Sequence, residues 1–155
     1  PRSASAIAYE DTVLLAVNKD NFARMVTTQP QIVARLTQLL AERIWFIYKQ
    51  LANTLLKDPV AKMYDALLIQ LEKARVPIRS GESYTFDIGP KELINMVGLP
   101  MTEGNNALRI LLQNPRIKAV DNRIFTSDVE EILKQANYYR KMQRIEQARR
   151  EQRRY

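Results

Sequence analysis

The chain has 155 residues, enough for one ordinary domain or two small ones, and its 46% hydrophobic and 26% charged residues are those of a globular protein. It contains no Cys and no His, which removes disulfides, zinc sites built on thiolate or imidazole, Cys nucleophiles and His-based triads. A non-enzyme with no metal or cofactor of its own is therefore expected, and the formal charge of +7, from 24 Lys and Arg against 17 Asp and Glu, favours a polyanionic partner.

Residues 3–17 hold two short β-type runs, rich in Val, Ile and Thr, around a Tyr9-Glu10-Asp11 turn. Two strands cannot hold a sheet alone, so their partners are expected upstream of Pro1, in a chain that is truncated there. Asn18 has the character of an N-cap for a short helix through Asp20, Phe22 and Met25, and Pro30 opens a longer helix. From there to about Lys57 apolar residues recur at spacings of three and four, at Val33, Leu36, Leu40, Ile44, Ile47, Leu51 and Leu55. A helix of about 27 residues spans roughly 40 Å, more than a small domain needs, which points to self-association along this seam. The alternative is a long helix buried within one chain. Trp45, Phe46 and Tyr48 widen the apolar surface beside the seam.

Asp58-Pro59 pairs an N-cap with Pro at the first helical position, so a new helix through Met63, Leu67, Leu68 and Leu71 begins there, and with it a new domain. After the Ser80-Gly81 turn come a strand-like YTFDI, a short helix PKELINMV ending at Gly98, and a second short helix ending near Asn114-Pro115. A hairpin follows, IKAV and RIFT joined by Asp121-Asn122, and Ser127 or Asp128 caps a final helix to the C-terminus. The expected fold is mainly α with small β elements, divided at residues 1–29, 30–57, 58–136 and 137–155. No apolar run reaches the roughly 20 residues of a membrane span and no signal peptide is recognisable, so a cytoplasmic location is expected.

Two short helices at a Gly-containing turn followed by a hairpin outline a winged helix-turn-helix. The order PRSASAIA, strand, short helix, long seam helix ending at Asp58-Pro59, then ELINMVGLPMTEGNNALRILLQNPRIKAVDNRIF, resembles the back half of a Crp/Fnr-type transcription regulator up to about Lys134. That resemblance implies the C-terminal edge of a cyclic-nucleotide-binding β-roll at residues 1–29, a homodimer formed through the seam helix, and double-stranded DNA as partner. It also implies a small-molecule effector, with a cyclic nucleotide as a candidate. Arg2, Ser3 and Ala4 match the end of the family's phosphate-binding cassette, where a guanidinium and a hydroxyl hold a cyclic phosphodiester. The family's adenine-contacting Thr-Ser pair falls on Ile47 and Tyr48, of which only Tyr48 could contact a base.

The resemblance places the DNA-reading helix at about Met101 to Gln113, with its base-reading positions on Met101, Thr102 and Asn106, where well-studied members carry Arg, Glu and Arg. Thr102, Asn105 and Asn106 are the candidate base contacts, the amides suiting adenine, and Arg109 is a candidate phosphate contact. Gly104 stands where the family carries an apolar residue, so a missing core side chain is expected there, and Glu103 sets a negative charge near the groove. Residues 59–136 carry ten basic and ten acidic side chains, whereas 137–155 carry seven basic and two acidic. In that tail, Arg140, Lys141 and Arg144 are candidate phosphate contacts, and Tyr138, Tyr139, Met142 and Ile145 form an apolar stripe suited to docking on the wing or on a partner. The competing expectation is a cyclic-nucleotide-binding or protein-interaction module with a degenerate winged helix, no DNA reading and a basic tail.

Overall fold

The computed structural model describes residues 5–152. It is mainly helical, with one small antiparallel sheet: α1 Lys19–Thr28, α2 Pro30–Thr54, α3 Pro59–Lys73, β1 Tyr84–Thr85, α4 Pro90–Met96, α5 Met101–Leu111, β2 Ile117–Val120, β3 Arg123–Thr126 and α6 Val129–Gln152. The chain divides into two compact units, residues 1–42 and 43–155, and the division falls within α2. No helix among the described residues is long and apolar enough to cross a membrane.

In the first unit, Asn18 Oδ1 accepts the Asn21 N–H at 2.8 Å and so caps α1 as its sequence implies. The two β-type runs do not form strands: residues 5–18 contain no strand, and Val13, Leu14 and Leu15 are at least 83% exposed. A strand is held by ladder bonds to a neighbour and by burial of one face, and residues 5–18 have neither among the described residues.

The second unit is built around α3, whose side chains are buried on nearly every side: Met63, Leu67 and Leu71 on one stripe and Tyr64 and Leu68 on the next are at most 4% exposed. A helix apolar all round belongs at the centre of its domain, and burying each such side chain contributes about 1.5–3 kcal/mol. Asp58 caps this helix, its Oδ1 accepting the Val60 N–H at 2.7 Å and the Ala61 N–H at 3.0 Å, with Pro59 at the first helical position. Around α3 pack α4, α5, α6 and the sheet, closing the core with Leu93, Ile94, Leu111, Ile117, Ile124, Val129 and Ile132.

The sheet has strand order β1-β3-β2, with Tyr84 opposite Thr126 and Ile117 opposite Thr126 on the other edge. Only two residues of YTFDI pair as a strand, although Phe86 N–H and Ile88 C=O still bond to Ile124 at 2.8 and 3.0 Å. Asp121 and Asn122 turn the β2–β3 hairpin at φ 48° and 57°, the doubly left-handed geometry that matches strand twist. At the sheet base, Asp128 Oδ1 caps α6 through the Glu130 N–H (3.0 Å) and also accepts the Gly81 N–H (3.2 Å), while its Oδ2 pairs with Arg116. Burial alone would raise the Asp128 carboxyl, but the N–H groups of Gly81 and Glu130 and the Arg116 guanidinium together hold it below its ordinary value.

Candidate nucleic-acid interface

Helices α4 and α5 meet at a turn made possible by Gly98, at φ 65°, whose N–H bonds back to Asn95 C=O at 3.1 Å. The left-handed residue ends α4 and starts the chain toward α5 within three positions, as Gly permits without strain. Gly104 then brings the two helices into contact. A Cβ at this position would lie 2.3 Å from Ile94 Cγ2 and 3.0 Å from its Cγ1, and Ile94 is fully buried. The expected missing core side chain is thus corrected: Ile94 from α4 already fills the space, and Gly104 is the residue that lets α5 approach it.

With Gly104, Ala107 and Leu111 buried, the opposite face of α5 is set by the helical period. Thr102, Asn105, Asn106 and Arg109 all lie on it and are exposed, so the four candidate contacts on this helix share one solvent-facing surface. Met101 and Ile110, 47% and 46% exposed, border it. On the side toward the start of α3, Thr102, Glu103, Asn106 and Ile110 face Asp58 and Pro59 across an open groove of about 410 Å³. Glu103 and Asp58 set one carboxylate on each side of that groove, which favours polar over anionic contact there. The hairpin contributes exposed Lys118 and Arg123, the latter 3.2 Å from Asp87.

The remaining candidates are placed as follows. Arg2, Ser3 and Ala4 lie outside the described residues. Tyr48 is 67% exposed on α2, and the seam residues Val33, Leu36, Leu40, Ile44, Ile47, Leu51 and Leu55 are between 37% and 69% exposed. The seam is therefore an apolar stripe left exposed among the described residues. Lys141 and Arg144 are exposed on α6. Arg140, expected at a phosphate, is turned inward instead, its Nη2 bonded to Oδ1 of Asp65, a carboxylate only 2% exposed. A buried carboxylate on α3 requires a cation, and Arg140 supplies it. Of the tail's apolar stripe, Tyr138 and Met142 are exposed, while Tyr139 packs inward, stacking on Tyr64 of α3 with ring centroids 5.9 Å apart. Burial raises both phenols above the ordinary tyrosine range. Gln143 belongs to no motif in the sequence, yet its amide donates to Leu55 C=O at 3.1 Å and accepts the Lys57 N–H at 2.9 Å. No local signal announces such a pair, because the partners are 86 and 88 residues apart.

No protein-family model and no curated protein matches the sequence. Among solved structures, a variant of CprK complexed with OCPA superposes with a TM-score of 0.56 at 12% sequence identity, over 74% of this chain and 52% of that one. Reduced CprK in the absence of any ligand gives 0.40 at 13% identity, over 76% of this chain and 56% of that one. This chain thus spans about half the length of the CprK chains it matches. CprK is a regulator of the Crp/Fnr family, and the first superposition shows that this chain shares its fold over the matched part.

Proposed function

We propose that this chain is the dimerisation helix and winged helix-turn-helix of a DNA-binding transcription regulator of Crp/Fnr type. In this reading α5 enters the major groove, the β2–β3 hairpin is the wing, and α2 joins two copies along its seam. A cyclic nucleotide or another small effector, received by an N-terminal sensor domain, shifts α2 and the Asp58 hinge and so sets the spacing of the two α5 helices. The observation that carries the proposal is the exposed face of α5, where Thr102, Asn105, Asn106 and Arg109 stand together on a helix backed by a buried core. Asparagine amides at 105 and 106 suit adenine edges, Thr102 suits a thymine methyl or a base edge, and Arg109 suits a phosphate. Lys141 and Arg144 add sequence-independent affinity.

The charge balance favours a second reading. Residues 59–136 have ten basic and ten acidic side chains, so a protein-interaction module whose winged fold no longer reads DNA is the competing function. Anisotropy titrations of the full chain on an A·T-rich palindrome and on random duplex, at two salt concentrations, separate the two. Preference for the palindrome supports DNA reading. Equal binding to both, lost when Lys141, Arg144, Arg149 and Arg150 are replaced by Gln, defeats it, and no binding by an intact dimer favours the interaction module.

A further inference from the structure

We infer that the C-terminal helix is a strut that fixes the hinge between α2 and α3, with Gln143 and Arg140 as its positioning residues. The linker between these helices is short, residues 55–58, and the last turn of α2 leaves carbonyl groups without helical partners. Just past that turn, Gln143 donates from Nε2 to Leu55 C=O at 3.1 Å, and its Oε1 accepts the Lys57 N–H at 2.9 Å. One side-chain amide therefore grips the linker on both sides of Leu56, a residue itself buried at 9% exposure.

One turn earlier on α6, Arg140 holds Asp65 of α3, and the other oxygen of that carboxylate accepts from Asn53 Nδ2 at 3.0 Å. Asn53, near the end of α2, also donates to Lys62 C=O at 2.8 Å. The chain Arg140–Asp65–Asn53 thus ties the end of α2 to the start of α3 from within, and Gln143 ties the linker from outside. The base of α6 is in turn anchored to the unit by the Tyr139–Tyr64 stack and by Ala136 at 1% exposure. The Gln143 bonds lie at the surface, where water could satisfy the same groups at little cost in stability, so what they add is a fixed linker geometry rather than fold energy. Any motion of α2 relative to α5 must break or carry this strut.

The consequence for DNA rests on the function proposed above, but the strut itself does not, and the test keeps them apart. The chain has no Cys, so Cys residues introduced at the exposed Arg43 of α2 and Lys118 of β2 accept a pair of distance labels in the full chain, diluted with unlabelled chain. In Gln143→Met the label-to-label distribution is expected to broaden and the Lys57 amide to exchange about tenfold faster, while the melting temperature stays near that of the parent. On a palindrome selected from random duplexes, the advantage over its isolated half-site should fall by about tenfold with half-site affinity unchanged, because a loose hinge lowers the effective concentration of the second reading helix. An unchanged distribution with unchanged Lys57 exchange overturns the strut. Failure to select any duplex overturns the DNA reading and leaves the first two readouts to decide the strut. Should Gln143→Met unfold the chain, Gln143→Ala, which loses both the Lys57 and the Leu55 bonds, carries the same two readouts.

Discussion

At Gly104 a single missing methyl group decides how two helices meet. Gly104→Ala must push its Cβ against the fully buried, β-branched Ile94, and we expect about 1–3 kcal/mol of destabilisation in urea unfolding. Ile94→Ala makes a cavity of its own, yet the double variant should lose less than the sum of the two, since each relieves the other. On the outer face the proposed DNA contacts divide by chemistry. Asn106→Ala should weaken binding to a preferred duplex by about 1–3 kcal/mol and leave random duplex unchanged, whereas Arg109→Ala should weaken both alike and reduce the salt slope by about one. Helical spacing puts Thr102, Asn105, Asn106 and Arg109 on one side of α5, but two other residues, Gly104 and Arg140, do not stand where the sequence implies. Helical spacing reveals which positions share a side; it does not reveal that Ile94 occupies the space above Gly104, or that Arg140 answers a buried Asp65 seventy-five positions away.

The elements that could be recognised from sequence were those with local physical causes. Asp58-Pro59, Asn18 and Asp128 act through side chains that bond backbone N–H groups two or three residues away; the first two begin their helices as expected, and of the two candidates Ser127 and Asp128 it is Asp128 that caps the last. The Asp121-Asn122 turn is likewise local, needing only two residues that tolerate positive φ. Residues 5–18 show the converse, since β-branched composition favours a strand only where a partner and a buried face exist. Asp128 joins two loops to the last helix, bonding Gly81, Arg116 and the start of α6, and this gives a pH signature. Because its carboxyl is held below the ordinary aspartate value in the folded state, its contribution is complete above about pH 4 and is lost as pH falls through the lowered folded value. Urea midpoints measured from pH 6 downward should drop over that acid range in the parent and drop less in Asp128→Asn.

At the scale of the molecule, the described residues include one regular exposed apolar stripe on α2, the seven seam side chains. Its periodicity was legible in the sequence, because a coiled-coil surface is a property of one helix, whereas what pairs with it is not. Ile44→Asp places a charge in the middle of the stripe, and sedimentation should then report a monomer with an unchanged circular dichroism spectrum. The central claim, that two copies present two α5 helices to one duplex, is tested most directly by footprinting the full chain on a duplex selected from random sequence. Two protected half-sites on one face of the DNA, centred roughly 34 Å apart and lost together in Ile44→Asp, are the predicted result. A single protected patch that survives Ile44→Asp, or uniform protection with no preferred sequence, would contradict it.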